Sequence, residues 1–336
     1  MTRWKAAAVT AVLALLLSPA AARAEVSELR MATQFGIGAM AMIIMQKNKV
    51  LERHLAAAGL PDTKVSWHQF PGGNPMNEGL LSGSLDIVSG GTTVFVTLWA
   101  KARATPQAVR SIGAISALPL WFMTRNPNVN RLEDLTDKDR IALTTVKVSV
   151  HAILLQMAAA KIYGPERSDR FDALTVGIAH GDALVALVSG AHEINNHFSA
   201  PPFQYVEAKA PGVRRLTTAQ DILGGPASYM VAYATERFRA ENPRTYAAFL
   251  AALREVIDAI NADPRAAARD YLDAAKDPIT LEEAVAMVTD PGARFTTAPT
   301  NVTTFAQFMH RQGLIKVRPD SWRDMFFPEL HDGPGS

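Results

Sequence analysis

His192 and His197 bracket the segment HEINNH, one residue longer than the HExxH pattern in which two histidines one helical turn apart hold zinc beside a glutamate base. Metal hydrolysis needs both imidazoles on one helical face. Here the segment reads as a strand running into a turn, and a spacing of five in a strand sends the two side chains to opposite faces. No metal site is therefore expected. His192 is expected at the surface or in a loop hydrogen bond, and His197, at the strand's carboxyl end, is placed for ligand contact. Gly36-x-Gly38-x-x-Ala41 follows a strand and opens a helix, which is the dinucleotide spelling. That chemistry also needs an acid at the end of the next strand to hold the ribose, and the strand ends His68-Gln69-Phe70. What remains is a helix N-terminus whose N–H groups suit some other ligand. Ser89, Ser149 and Ser199 stand at strand ends but pair with no base at a recognisable spacing, so they read as helix caps rather than nucleophiles. The chain has no Cys, which excludes a thiol nucleophile, a thiolate metal site and disulfides.

These residues need elements to carry them. ELRMAT, KVSWHQF and LDIVSG read as strands, separated by helical patterns of which the longest runs from Gly38 to a Gly59 stop. The order βαβαβα implies a largely parallel sheet covered by helices on both faces. RIALTTV, DALTVGIA and HEINN begin a second such unit, and after ASYMVAYA (227–234) the chain reads as helix. One element is written twice, as LLSGSLDIVSGGTTVF (81–96) and LVSGAHEINNHFSAPPF (187–203). Each copy has a helix stopped by Ser-Gly, a strand, and small residues opening the next helix. Ligands of open α/β sheets sit beyond the carboxyl ends of the strands, so two copies face to face would line one cleft.

At the amino end, Arg3 and Lys5 precede an apolar run from Ala6 to Leu17 and an Ala22-x-Ala24 site, the pattern of a secretory signal cleaved before Glu25. The run is too short for the roughly 20 residues of a spanning helix. Of 34 Lys and Arg, three lie in residues 1–24, so the mature chain would carry 31 against 32 acids and no basic tract. That balance argues against nucleic acid or an anionic membrane as partner.

The chain resembles the periplasmic substrate-binding proteins of ABC importers, in the group that takes nitrate, sulfonates, taurine and thiamine-pyrimidine precursors. The likeness rests on LRMATQFGIGAMA, LLSGSLDIVSGG, NRLEDLTDKDRIAL and LVSGAHEINNHFSAPPF, in that order. It implies a type II-like α/β fold of two lobes: residues 25–117 with 235–336, and residues 118–234. Two crossovers near Leu118–Arg125 and Ser228–Ala234 would join them around a ligand cleft. It further implies a monomer without enzymatic activity or cofactor, delivering a small ligand to a permease of the inner membrane. The sequence departs from the pattern at Asp137-Lys138-Asp139, expected to alter a surface turn, and at Glu193, expected to make the pocket wall more polar. On this scaffold Gln34, Phe35, Gly91, Thr92, Ser149, Asn196, His197, Phe198 and Tyr229 are the candidate ligand contacts, with Trp121 expected in the core. Arginine is scarce at these strand ends, Arg125 and Arg140 being off the cleft. The ligand expected is a small organic anion, sulfonate- or carboxylate-like, held by N–H groups, hydroxyls, Gln34, Asn196 and a protonated His197. The alternatives are a neutral heteroaromatic such as a thiamine-type pyrimidine, and an enzyme on the same scaffold.

Overall fold

A computed structural model describes residues 25–190 and 193–336. The export signal and His192 lie outside the described residues. Strand β1 (Glu28–Thr33) pairs in parallel with β2 (Lys64–Gln69), Leu29 opposite Val65, and with β3 (Ile87–Gly91), Met31 opposite Ile87. β3 is buried throughout because helices cover both faces, which is why it reads as a continuous small and apolar run rather than an alternation. The long helical pattern after β1 is two helices, α1 (Met40–Lys47) and α2 (Val50–Ala57), because Lys49 takes a left-handed φ of 49° and turns the chain. Helices α3 (Gly73–Ser82) and α4 (Thr92–Ala102) flank β3, and β4 (Val109–Ala117) runs in the same direction as β3, separated from it by an antiparallel strand from later in the chain.

The chain then leaves for a second sheet over residues 118–120. β5 (Trp121–Thr124), β6 (Ile141–Leu143), β7 (Thr175–Gly177), β8 (Asn196–Ser199) and β9 (Arg214–Thr218) assemble in the order β7-β6-β8-β5-β9. Helices α5 (Val150–Tyr163), α6 (His180–Ser189), α7 (Phe203–Glu207) and α8 (Ala219–Leu223) accompany them. Two strand readings need correction. HEINN is not the strand: pairing begins only at Asn196, opposite Thr124 and Ile141, and Glu193 to Asn195 form the approach. β9 was not foreseen, since VRRLTT offers little apolar alternation.

Residues 219–227 lead back to the first sheet. Ser228–Ala234, expected as the second crossover, lies within β10 (Ser228–Thr235), inserted antiparallel between β3 and β4. The first sheet thus has the order β11-β4-β10-β3-β1-β2, its last member being the short β11 (Arg294–Phe295) inside the helical tail. The tail's helices α9 (Glu236–Glu241), α10 (Pro243–Ala262), α11 (Pro264–Ala275), α12 (Leu281–Val288) and α13 (Val302–Arg311) supply much of the first unit's core. α10 alone buries Phe249, Leu253, Val256, Ile257 and Ile260, side chains worth roughly 1.5–3 kcal/mol each when withdrawn from water.

The repeated element is real in its geometry. α3 stops at Gly83 with φ 76° and α6 at Gly190 with φ 64°, both left-handed caps that a residue with a Cβ rarely adopts. Each stop is followed by a strand, β3 or β8. The two units also meet directly: the Thr93 hydroxyl donates to the Val148 carbonyl at 2.6 Å, the Ile37 N–H to the Pro201 carbonyl at 3.3 Å, and the Ser168 hydroxyl to Gln312 at 2.8 Å. Among the described residues no helix is long and apolar enough to cross a membrane.

Candidate functional site

Strand ends from both sheets converge on a cavity of about 260 Å³. The first sheet contributes Gln34 and Phe35 after β1, Pro71 after β2 and Tyr229 on β10. The second contributes Ala179 to Asp182 after β7 and Phe203 after β8, and Asp277 closes the rim from the tail. A larger cavity of about 490 Å³ adjoins it across Phe35 and Asp277, but its other walls, among them Ile43, Gln69 and Ala274, come from the first unit alone. A trap between two units requires walls from both, so the smaller cavity is the candidate site.

Its shape follows from local chain geometry. Gly36 has φ 91° and lies so close to the Pro201 carbonyl that an added Cβ would stand 3.0 Å from that oxygen. At Gly38 a Cβ would stand 2.7 Å from the Tyr229 ring. The two glycines that spelled a nucleotide fingerprint therefore serve a close approach between the units and the seating of a wall residue. Phe203 stacks on His180, ring centroids 5.5 Å apart at 24°. α6 begins at the cavity with Ala179 as its N-cap, which offers no capping side chain. Its first intrahelical bond runs from the Ala183 N–H to the Ala179 carbonyl, so the N–H groups of His180, Gly181 and Asp182 precede the ladder.

Behind His180 lies a relay of buried polar groups. His180 Nδ1 is 2.8 Å from His197 Nε2, and His197 Nδ1 is 2.6 Å from Glu207 Oε1, which also accepts from the Ser199 hydroxyl at 3.2 Å. His197, Ser199 and Glu207 are fully buried. His151, on α5, stands edge-on to His180 at 4.9 Å and to Tyr229 at 5.6 Å. Its ring nitrogens have no well-aligned partner, only a loose approach to the Ser199 backbone. Burial, reinforced by the neighbouring His197, lowers its pKa to about 3. Burial first, then His151 and His197, likewise holds His180 well below the usual imidazole range. At neutral pH both rings are uncharged. Among the described residues no group of three or more ligating side chains is arranged to hold a metal ion.

Of the nine candidates read from the sequence, Gln34, Phe35 and Tyr229 line the cavity. His197 sits one layer behind it, reaching it through His180. Thr92 and Ser149 are buried elsewhere: the Thr92 hydroxyl donates to the Ser228 carbonyl at 2.7 Å, and Ser149 caps α5 by accepting from the Ala152 N–H at 3.2 Å. Gly91 lies against Val150, an added Cβ falling 3.5 Å from its methyl group. Phe198 packs edge-on against Phe122 at 5.7 Å. Asn196 turns its amide to Asn195 at 2.7 Å and Asp139 at 3.4 Å. Trp121 is half-buried between Tyr205 and Arg215 rather than in the core. Ser89 does not cap a helix but donates to Thr33 at 2.7 Å, and Ser199 serves the relay. Arg125 and Arg140 satisfy backbone carbonyls, of Leu187 and Val188 and of Asp137 and Asp139 respectively.

Two departures from the family pattern land differently from expectation. Asp139 is no surface turn residue: it is buried and accepts from Thr136, Asn126 and Asn195 at 2.8 to 2.9 Å. Glu193 is exposed beside Arg140, 3.8 Å away, and forms no pocket wall. The residues missed were Pro71, Ala179 to Asp182, Phe203 and Asp277. A signal for most of them existed, because 179–182 and 203 are also strand ends opening helices.

No protein-family profile matches the chain, and no curated protein matches it in sequence. Solved structures do match in fold. The alkanesulfonate-binding protein of Xanthomonas axonopodis pv. citri, bound to MOPS, superposes with a TM-score of 0.70 at 18% identity, covering 88% of this chain and 96% of that one. The periplasmic nitrate-binding protein of Synechocystis PCC 6803 gives 0.68 at 13%, covering 93% and 86%. A zinc-bound ligand-binding component of an ABC-type import system from Staphylococcus aureus gives 0.66 at 12%, covering 91% and 98%. With two α/β units, two connections between them and a cavity at their facing strand ends, the chain has the periplasmic-binding-protein fold shared by these sulfonate- and nitrate-binding proteins.

Proposed function

We propose that the chain is a solute-binding protein that closes over a small organic anion, sulfonate- or carboxylate-like, and delivers it to an ABC importer without altering it. Its place would be the periplasm, after cleavage of residues 1–24. The observation that carries this reading is the cavity walled from both sheets at the strand ends, where closure can bury a ligand. The uncapped start of α6 favours an anionic or acceptor end, by up to ~1 kcal/mol for an exposed helix terminus and more in a dry site. Phe35, Phe203 and Tyr229 suit an apolar body.

A second reading rests on charge. Among the described residues no Lys or Arg lines the cavity, while Asp182 and Asp277 do, and His180 is neutral. That lining favours an uncharged heteroaromatic over an inorganic anion. Thermal shifts across taurine, alkanesulfonates, benzoates and pyrimidines separate the readings, because a ligand that binds only the folded state raises the melting temperature. Stabilisation by sulfonates or benzoates supports the anion, and stabilisation by pyrimidines alone supports the second reading. Chemical conversion of a recovered ligand, in proportion to protein, would overturn both.

A further inference from the structure

Three ring nitrogens in the His151 and His180 cluster have no well-aligned hydrogen-bond partner, although each is shut off from water. Buried polar atoms are rarely left so, and a set of them beside a cavity is where a ligand's polar head belongs. The relay decides what that head must be. Glu207 Oε1 already accepts from the Ser199 hydroxyl and accepts again from His197, so His197 carries its proton on Nδ1 and presents a bare Nε2. His180 must then donate from Nδ1, and its own Nε2 is left as a lone pair. The reverse order, with a proton on His180 Nε2, would leave a buried N–H orphaned, and orphaned donors are rarer in folded proteins than under-used acceptors. Glu207 Oε2 is also unpartnered, which a carboxylate oxygen tolerates and an N–H group would not.

From this geometry we infer that the Glu207–His197–His180 relay makes His180 a hydrogen-bond acceptor in the binding site, and so selects solutes that bring an N–H or O–H donor to it. The inference rests on the solute-binding reading and narrows it: beyond an end suited to the start of α6, the solute carries a hydroxyl, amine or ring N–H. Glu207 and His197 are positioning residues that never touch the ligand. His180 itself lines the cavity.

The relay is tested without any ligand by nitrogen NMR of the imidazoles in the full chain at neutral pH. His180 is expected to be protonated at Nδ1 and bare at Nε2. A proton on His180 Nε2, as a charged His197 would produce, overturns the inference. Selection is tested by calorimetry with two matched pairs, 4-hydroxybenzoate against 4-methoxybenzoate and 4-aminopyrimidine against 4-methylpyrimidine. The donor of at least one pair should bind about tenfold tighter than its partner. Glu207→Gln lets the amide turn its NH₂ toward His197, which reverses the relay, so the preference should shrink to about twofold or less while the fold is kept. If the methoxy and methyl compounds bind as tightly as the donors, selection by His180 is wrong. If neither pair binds and no sulfonate raises the melting temperature, although the tautomer is as assigned, the ligand class of the proposed function fails and the relay stands.

Discussion

Phe35 is 53% exposed, unusual for a large aromatic, and it stands between the two cavities. A side chain with so little burial contributes little to the fold, so Phe35→Ala should change stability by no more than about 0.5 kcal/mol. If the ring is a cavity wall, the same change should weaken binding of whichever solute stabilises the wild type by about tenfold, on the order of 1.4 kcal/mol. Calorimetry beside urea unfolding gives both numbers, and unchanged affinity would remove Phe35 from the site. Asp139 is the opposite case, buried and committed to structure. Burial alone would raise its pKa, but hydrogen bonds from the Thr136 backbone, Asn126, Thr136 and Asn196 outweigh it and the net shift is downward. A carboxyl whose folded pKa is depressed contributes stability above its unfolded pKa, about 3.9, and loses it as pH falls through the lower folded value. Asp139→Asn should therefore cost roughly 1.5–3 kcal/mol at neutral pH and flatten the acid limb of the stability profile below about pH 4. Urea melts of both proteins from pH 7 to 3 check the sign.

At the scale of elements, the loop from β1 into α1 shows how one motif spelling serves different physics. Gly38→Ala inserts a methyl group 2.7 Å from the Tyr229 ring, with the Met230 sulfur 3.1 Å away, so the ring must move. Overpacking of this kind costs typically 1–3 kcal/mol, and here it also displaces a cavity wall. The variant should melt lower and bind more weakly, whereas a nucleotide should stabilise neither protein in a thermal-shift assay. The parallel strands, their helices and the glycine stops were legible because periodicity and left-handed caps are local properties. β9 and the start of β8 were not, because both are held by pairing with β5, whose partners are distant in sequence. Site legibility divides the same way. Gln34 and Phe35 follow from being at a strand end. The reach of Asp139 to three asparagines, and of His197 to His180 rather than to the cavity, depends on which way side chains turn in the assembled second unit, and no spacing rule encodes that.

For the whole molecule, the solute-binding reading requires the two units to part and close, so a hydrogen bond that crosses between them acts on that equilibrium rather than on the fold of either unit. Thr92 and Thr93 are adjacent and both buried, yet their hydroxyls serve different purposes. Thr92 donates to Ser228, within the first sheet's own layers, and Thr93 donates across the junction to Val148. Replacing either by Val keeps the volume and removes one hydrogen bond worth about 1 kcal/mol. In Thr92→Val that loss falls on the folded state as a whole. In Thr93→Val it falls on the closed arrangement alone, and about 1 kcal/mol shifts an open-to-closed ratio by roughly fivefold. Apparent affinity scales with the fraction of molecules able to close, so Thr93→Val should bind up to about fivefold more weakly, with a larger radius of gyration at sub-saturating ligand and a normal radius at saturation. Thr92→Val should instead lower the unfolding midpoint with affinity and radius unchanged. Small-angle scattering through a titration of each variant distinguishes the two losses. Equal effects on radius in both variants would mean that the Thr93 bond is not what holds the units together.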